Sequence, residues 1–387
     1  MFFTAESEDK VWRKILKLQE LSFLHSVSEM DQSESFNEMK DIIIENKILY
    51  FRDKYLVDCD YISLTEEEVS ELQSYIDEEI VKIDDEIEEA KRDMGSVEVF
   101  NGKYKKAQLL CKIGKVDEGF AIFQECDAIP MGDSTKMKSV FLRLLISFCC
   151  NDFVMIEKWL ADIDIMAQNN VLDFEHKNRL LTYRGLFSLM KGNFLDCVND
   201  FIECLNTFMA TELIDFERLV FYLCVFSVIT LKRPRYRDYV LNSSDVKTVI
   251  NSLEDIEEFS NNFYNGNYKE GLKLAASIKE RLKTDYYCHK FESFFFYNFR
   301  KTCYRQFLKS YSRVTLAKIA EEFSLPIKLV ELDLVEFIQN GDLTFRIDEL
   351  EGVVHRANRI SQDVKQFSNA ASNTINKLEN LARVLAM

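Results

Sequence analysis

Proline and glycine are scarce in this chain, with 3 Pro and 11 Gly among 387 residues. Few turn formers argue against strands joined by tight turns and favour long helices. Histidine is rarer than chemistry usually needs. His25, His176, His289 and His355 stand singly, with no HExxH and no Cys or His pair at zinc spacing. GxSxG, GxGxxG and P-loop patterns are absent as well. Lys191-Gly192-Asn193 lacks the second Gly and the Lys-Ser/Thr that hold phosphate and metal, so it reads as a helix turn. Cys288–His289 is the one adjacent Cys–His pair. Neighbours in a helix point in different directions, so it reads as a partly buried pair rather than a nucleophile and its base. No catalytic, cofactor-binding or metal residue is expected, and the chain is read as a non-enzyme.

Positive charge is also short. The 49 Lys and Arg face 65 Asp and Glu, a formal net charge of −16. Phosphate binding needs clustered cations, so a general nucleic-acid binder is disfavoured and protein partners are expected. The ten Cys include no CxxC, and Cys149, Cys150 and Cys224 lie in apolar helical stretches. They read as small buried hydrophobes of a reducing compartment. The start MFFTAESEDKVW turns acidic at once, unlike a signal peptide. The most apolar stretch, Leu219 to Leu231, falls short of the roughly 20 residues that cross a bilayer. A soluble intracellular protein without a membrane partner is the expectation.

What is present is material for a helical core: 47% apolar residues, with 31 Phe and 16 Tyr. Ile15, Leu18 and Leu21, then Ile42, Ile43 and Leu49, have helical spacing, and a loop is expected across Ser26–Glu38. Thr65 and Glu68 have capping-box spacing. Val69, Leu72, Ile76, Ile80, Ile83 and Ile87 then form one helical face, with acidic residues crowding the others. That acidic surface reads either as a docking strip or as a solvated outer face.

An internal repeat follows. IGKVDEGFAIF (from Ile113), CNDFVMIEKWL (from Cys150), KGNFLDCVNDF (from Lys191) and NGNYKEGLKLA (from Asn265) fit one template: a turn former, a polar residue, Val, Phe or Tyr, then a helix. Gly114, Asn151, Gly192 and Gly266 are spaced by 37, 41 and 74 residues, the last being two periods of 37. Such a period belongs to helix–turn–helix solenoids. Gly or Asn takes the left-handed backbone at a helix end, and the residue two positions on wedges the next helix against it.

Beyond the array the pattern changes. Thr315 caps a helix Leu316–Phe323, Ser324–Pro326 turn the chain, and a second helix runs to Asn340 before Gly341. Leu343, Phe345 and Ile347 alternate as a strand, and Val353–Arg356 return as its partner. Helix, turn, helix and hairpin make a winged helix. Its second helix sets one Lys, Lys328, against Glu331, Asp333 and Glu336, the wrong sign for phosphate. The hairpin's free edge, with an outward amide at Thr344 or Arg346, is expected to add a neighbour's strand. From Gln362, Val364, Ala371, Leu378 and Leu385 recur every seven, with Phe367, Thr374 and Leu381 at the second seam position. That coiled-coil seam needs a partner. The expected organisation is mainly α: an N-terminal helical segment (1–62), a TPR-like helical-repeat solenoid (63–285), a winged-helix module (286–358) and a C-terminal bundle helix (359–387).

Helical repeats running into a winged helix and a terminal helix resemble the PCI family, shared by scaffolds of the proteasome lid, the signalosome and translation-initiation complexes. KNRLLTYRGLF (from Lys177), TELIDFERLVFY (from Thr211), LKRPRYRDYV (from Leu231), YRQFLKSYSRVTLAKIAEEF (from Tyr304), FIQNGDLTFRID (from Phe337) and the terminal LARVLAM are similar to the lid branch. The likeness is good from about Glu98 onward and thin before it. It implies a non-catalytic scaffold in a hetero-oligomer, meeting other lid subunits through the winged helix and the C-terminal helix, in cytoplasm and nucleus. The signalosome and translation-initiation scaffolds are the alternatives.

Overall fold

A computed structural model describes residues 5–27, 33–48, 65–93, 95–169, 172–250 and 252–356, with Ala371 and Thr374. The C-terminal seam otherwise lies outside the described residues. The chain forms two compact units, one of Met1–Leu253 with Lys279–Glu292 and one of Glu254–Ile278 with Ser293–Met387.

The first unit opens with α1 (Ala5–Val27) and α2 (Ser33–Asn46). The loop expected across Ser26–Glu38 is corrected here, because Ser26 and Val27 finish α1 and Ser33–Glu38 begin α2. The polar run gains a packed face from tertiary contact: the Phe36 ring lies 4.7 Å from that of His25, and Met39 is fully buried. Ile15, Leu18, Ile42 and Ile43 are buried as their spacing requires; Leu49 is outside the described residues. Next come α3 (Glu66–Asp93) and α4 (Ser96–Lys112). The Thr65 amide donates to the Glu68 carboxylate at 2.8 Å, and the Glu68 amide to the Thr65 hydroxyl at 3.3 Å, completing the capping box. Leu72, Ile76 and Ile87 are buried while Val69, Ile80 and Ile83 are half-buried. The acidic surface is partly met by this chain's own cations: Lys40 pairs with Glu68, Lys106 with Asp84 and Lys105 with Glu86.

Three helical pairs carry the repeat in this unit. They are α4 with α5 (Val116–Asp127), α6 (Asp133–Cys149) with α7 (Phe153–Gln168), and α8 (Phe174–Lys191) with α9 (Phe194–Cys204). The fourth, α13 (Glu254–Asn265) and α14 (Tyr268–Lys283), has its turn in the second unit. Gly114, Asn151, Gly192 and Gly266 all have positive φ, at 95°, 53°, 82° and 82°. Each turn then repeats one hydrogen-bond pattern. The residue after the left-handed one donates to the carbonyl five positions back, Lys115 to Leu110, Asp152 to Ser147, Asn193 to Ser188 and Asn267 to Asn262, at 2.8–3.1 Å. These are Schellman closures, which satisfy carbonyls the helix end leaves open. The wedge residues Val116, Phe194 and Tyr268 are buried and Phe153 is half-buried. At Gly185 the α8–α9 pair comes so close that an added Cβ would sit 2.6 Å from the Phe201 ring.

The double interval between Gly192 and Gly266 has its own explanation. Helix α10 (Phe216–Thr230) ends in extended backbone at Leu231, φ −88° and ψ 149°, and no left-handed residue follows it. The chain restarts as α11 (Arg233–Tyr236), with Pro234 in the first turn, and runs through a π-turn Arg237–Leu241 into α12 (Ser244–Ile250). Every residue of α10 from Leu219 to Val228 is buried. It is the first unit's central helix, and no helix among the described residues is long and apolar enough to cross a membrane.

The turn geometry yields a stability order. A non-glycine residue in left-handed backbone costs roughly 1–2 kcal/mol, and Asn less. A Cβ at Gly192 would also meet the Phe291 ring at 3.0 Å, whereas at Gly266 the nearest atom is 3.6 Å away. Gly192→Val and Gly266→Val should each lower the thermal midpoint, Ala should lower it less, and Gly266→Asn least. Gly192→Ala should cost more than Gly266→Ala. Thermal unfolding of the full chain tests the order, and Val variants as stable as the parent would contradict it.

Candidate interaction surface

The second unit contains the winged helix. Its elements are α15 (Glu292–Leu308), β1 (Arg313–Thr315), α16 (Leu316–Phe323), α17 (Ile327–Gln339), β2 (Phe345–Asp348) and β3 (Val353–Arg356). The Thr315 hydroxyl accepts from the Lys318 amide, and Gly341 turns the chain at φ 75°. Leu316, Ile319, Ala320 and Phe323 bury one stripe of α16, and Val330, Asp333, Leu334 and Phe337 one stripe of α17. Phe323 is the aromatic hub. Its ring stacks on Tyr268 at 4.7 Å and on Tyr304 at 4.6 Å, and meets Phe307 edge-on at 5.7 Å.

The sequence reading missed β1, a three-residue strand with a single buried residue, Val314. It exists because β3 offers it an edge, so the sheet is three-stranded with order β1-β3-β2. This strand sets the hydrogen-bond phase of the wing. Leu316 donates to the Gly352 carbonyl at 2.8 Å and Arg356 to the Ser312 carbonyl at 3.1 Å. Antiparallel alternation then turns the Gly352, Val354 and Arg356 backbone toward β1 and that of Val353 and His355 toward β2. In the register Arg346↔His355 and Asp348↔Val353, Arg346 and Asp348 bond inward. The outward backbone groups of β2 are therefore those of Phe345 and Ile347, which corrects the expectation of Thr344 or Arg346.

A second correction concerns α17. The charge balance read from the sequence counted Asp333 as exposed, but it is buried. It accepts from Arg300 at 2.7 and 2.8 Å and from the Tyr304 hydroxyl at 3.2 Å. Burial pushes its carboxyl above the ordinary range, and the Arg300 guanidinium pulls it back. The exposed side of α17 presents Ile327, Leu329 and Leu332, at 50%, 39% and 58% exposure. Leu329 also lines an apolar groove of about 300 Å³ with Leu272, Ala276, Phe296 and Leu325. Large exposed apolar side chains on one helix and an open strand edge in the same unit are the chemistry of protein-binding surfaces.

The four histidines remain dispersed. His176 is part of a helix cap: Asp173 accepts from its amide at 2.9 Å and lies 2.6 Å from Nδ1. Ser134 and His176 line one groove, but among the described residues no hydrogen bond joins them. His289 Nδ1 lies 3.0 Å from the Tyr286 carbonyl, and the ring packs on Phe23 at 4.5 Å. Cys288 beside it is fully buried, which pushes its thiol far above the reactive range. Of the nine described cysteines eight are buried and Cys150 is half-buried; all are free. Asp348, Glu351 and His355 bring ligand atoms within 4.8 Å of one another. Asp348 there accepts from the Leu350 and Glu351 amides, and Glu351 pairs with Arg313, so these carboxylates serve the hairpin.

The sequence matches known proteins. Residues 65–238 match the model of the 26S proteasome subunit RPN7 family, and residues 266–357 match the PCI domain. The chain thus carries an RPN7-type region followed by a PCI domain. The 26S proteasome non-ATPase regulatory subunit 6 of Dictyostelium discoideum is 26% identical over 96% of this chain and 97% of its own length. RPN7 of Saccharomyces cerevisiae is 23% identical over 76% and 70%. COP9 signalosome complex subunit 1 of Arabidopsis thaliana aligns over 35% and 32%, at 23% identity.

Asp333 supplies the stability test for the module. Asp333→Ala leaves the Arg300 guanidinium and the Tyr304 hydroxyl without their carboxylate, at a cost of about 3 kcal/mol. Asp333→Leu combined with Arg300→Met should recover most of that. Urea unfolding reads both, and an unchanged midpoint for Asp333→Ala would show that the pair does not hold α15 to α17.

Proposed function

We propose that this chain is a non-catalytic structural subunit of the 26S proteasome regulatory lid, supporting lid assembly and thereby ubiquitin-dependent protein degradation. The observation that carries the reading is the near end-to-end alignment with the Dictyostelium subunit, spanning 97% of that protein. The signalosome subunit, by contrast, aligns over about a third of either chain. A scaffold role accords with dispersed histidines, buried thiols and acceptors already engaged in caps and hairpins.

In this reading the winged helix meets other lid subunits through the outward edge of β2 and the apolar side of α17. The segment 359–387 joins a helical bundle, and the domain limits at 62, 285 and 358 divide the chain. Neither nucleic acid nor membrane is a partner, no metal or cofactor is used, and the protein works in cytoplasm and nucleus.

Three experiments test this. A tagged full-length chain should co-purify with proteasome lid subunits, and deletion of 362–387 should leave a folded chain that fails to enter the lid. Recovery with signalosome or translation-initiation subunits instead would overturn the reading. Ile347→Pro removes an outward donor of β2 without touching its ladder to β3, so it should weaken assembly well beyond Ile347→Ala, which loses the side chain alone. Equal incorporation of the two variants, read by native gel, would exclude the edge as an interface.

A further inference from the structure

One surface runs against the charge of the whole molecule. Lys232, Arg233, Arg235 and Arg237 put four cations into six positions, answered within the stretch only by Asp238, in a chain of net charge −16. All four cations are exposed. The segment is held in place from beneath, since Tyr236 and Val240 are fully buried. Pro234 presets the first turn. The Arg235 guanidinium lies 5.5 Å above the Tyr239 ring, and that ring is itself exposed. Arg237 pairs with the exposed Asp238 at 3.0 Å.

One ordinary role for these cations falls short. Cations near the end of α10 favour its negative pole, but that effect fades within a turn, and one or two charges would serve it. Arg235 also reaches the Asn199 side chain at 3.5 Å, yet all four side chains keep an exposed surface.

We infer that this rigid basic platform, with Tyr239 at its margin, docks a carboxylate-rich peptide segment of a protein partner. Charge complementarity selects an acidic occupant, and the exposed ring offers an apolar seat beside it. A short segment contacts the platform alone. A nucleic acid is a long polyanion that would extend past the platform over a chain of net charge −16.

The test uses the full-length chain and a fluorescein-labelled Asp/Glu-rich peptide containing one Leu, followed by anisotropy at physiological salt. Binding should be saturable. The double variant Arg235→Glu, Arg237→Glu should weaken it at least about tenfold, Arg235→Gln, Arg237→Gln by less, with thermal midpoints unchanged. Lys269→Glu, on a separate exposed site, should bind as the parent does. Absence of binding by the parent, equal binding by the reversed variant, or tighter binding of a single-stranded RNA than of the peptide would overturn it. If charge reversal unfolds the chain, the Gln pair alone decides: unchanged affinity overturns the proposal and reduced affinity supports it.

Discussion

The left-handed residue that closes a helical pair fixes where the second helix can start. Its own amide and the next reach back to the carbonyls of the helix just ended, so the chain reverses within two residues. The wedge residue two positions on then falls between the helices. With φ positive at Gly114, Asn151, Gly192 and Gly266, all four pairs inherit the same exit geometry, and one buried face per pair becomes available for packing. Where that device is absent, after α10, the chain leaves in extended backbone and needs a proline-led turn and a π-turn before helix resumes.

Several polar groups that enter the core do so in linked sets. Arg218 reaches Asp285 at 3.1 Å, the Tyr222 hydroxyl at 2.6 Å and Glu20 on α1, and Tyr222 in turn donates to Asp285 at 2.8 Å. Burial raises the Glu20 carboxyl above its ordinary range, and the Arg218 charge opposes that rise. Gln19 donates to the Cys149 carbonyl, so α1 is tied to the array by directional bonds as well as by Trp12, Ile15 and Leu18. Within the second unit Asp333, Arg300 and Tyr304 form the corresponding set. Such networks add little net stability when complete and cost several kcal/mol when one member is lost. They specify which faces meet more than how strongly.

The same principle explains why the surfaces differ from what a charge count suggests. Turning Asp333 inward leaves α17 with an apolar exposed side, suited to protein rather than phosphate. In the first unit, lysines of neighbouring helices answer part of the acidic α3. At Lys232–Arg237 the cations stay on the surface because Tyr236 and Val240 take the inward positions.

What the sequence determined by itself was whatever local spacing encodes. The repeat turns, the capping box at Thr65, α16 to the residue and the return strand at Val353–Arg356 follow from short-range rules of backbone and period. Buried cysteines were legible for the same reason, as apolar neighbours in helical stretches. The tertiary structure alone decided three things. Ser33–Glu38 became helix because Phe36 and Met39 found a packed surface. β1 became a strand because β3 offered an edge, and it thereby chose which amides of β2 point outward. Asp333 turned inward because Arg300 waited on another helix. Each depends on a partner distant in the chain, and the free energy of such a contact appears in no local pattern.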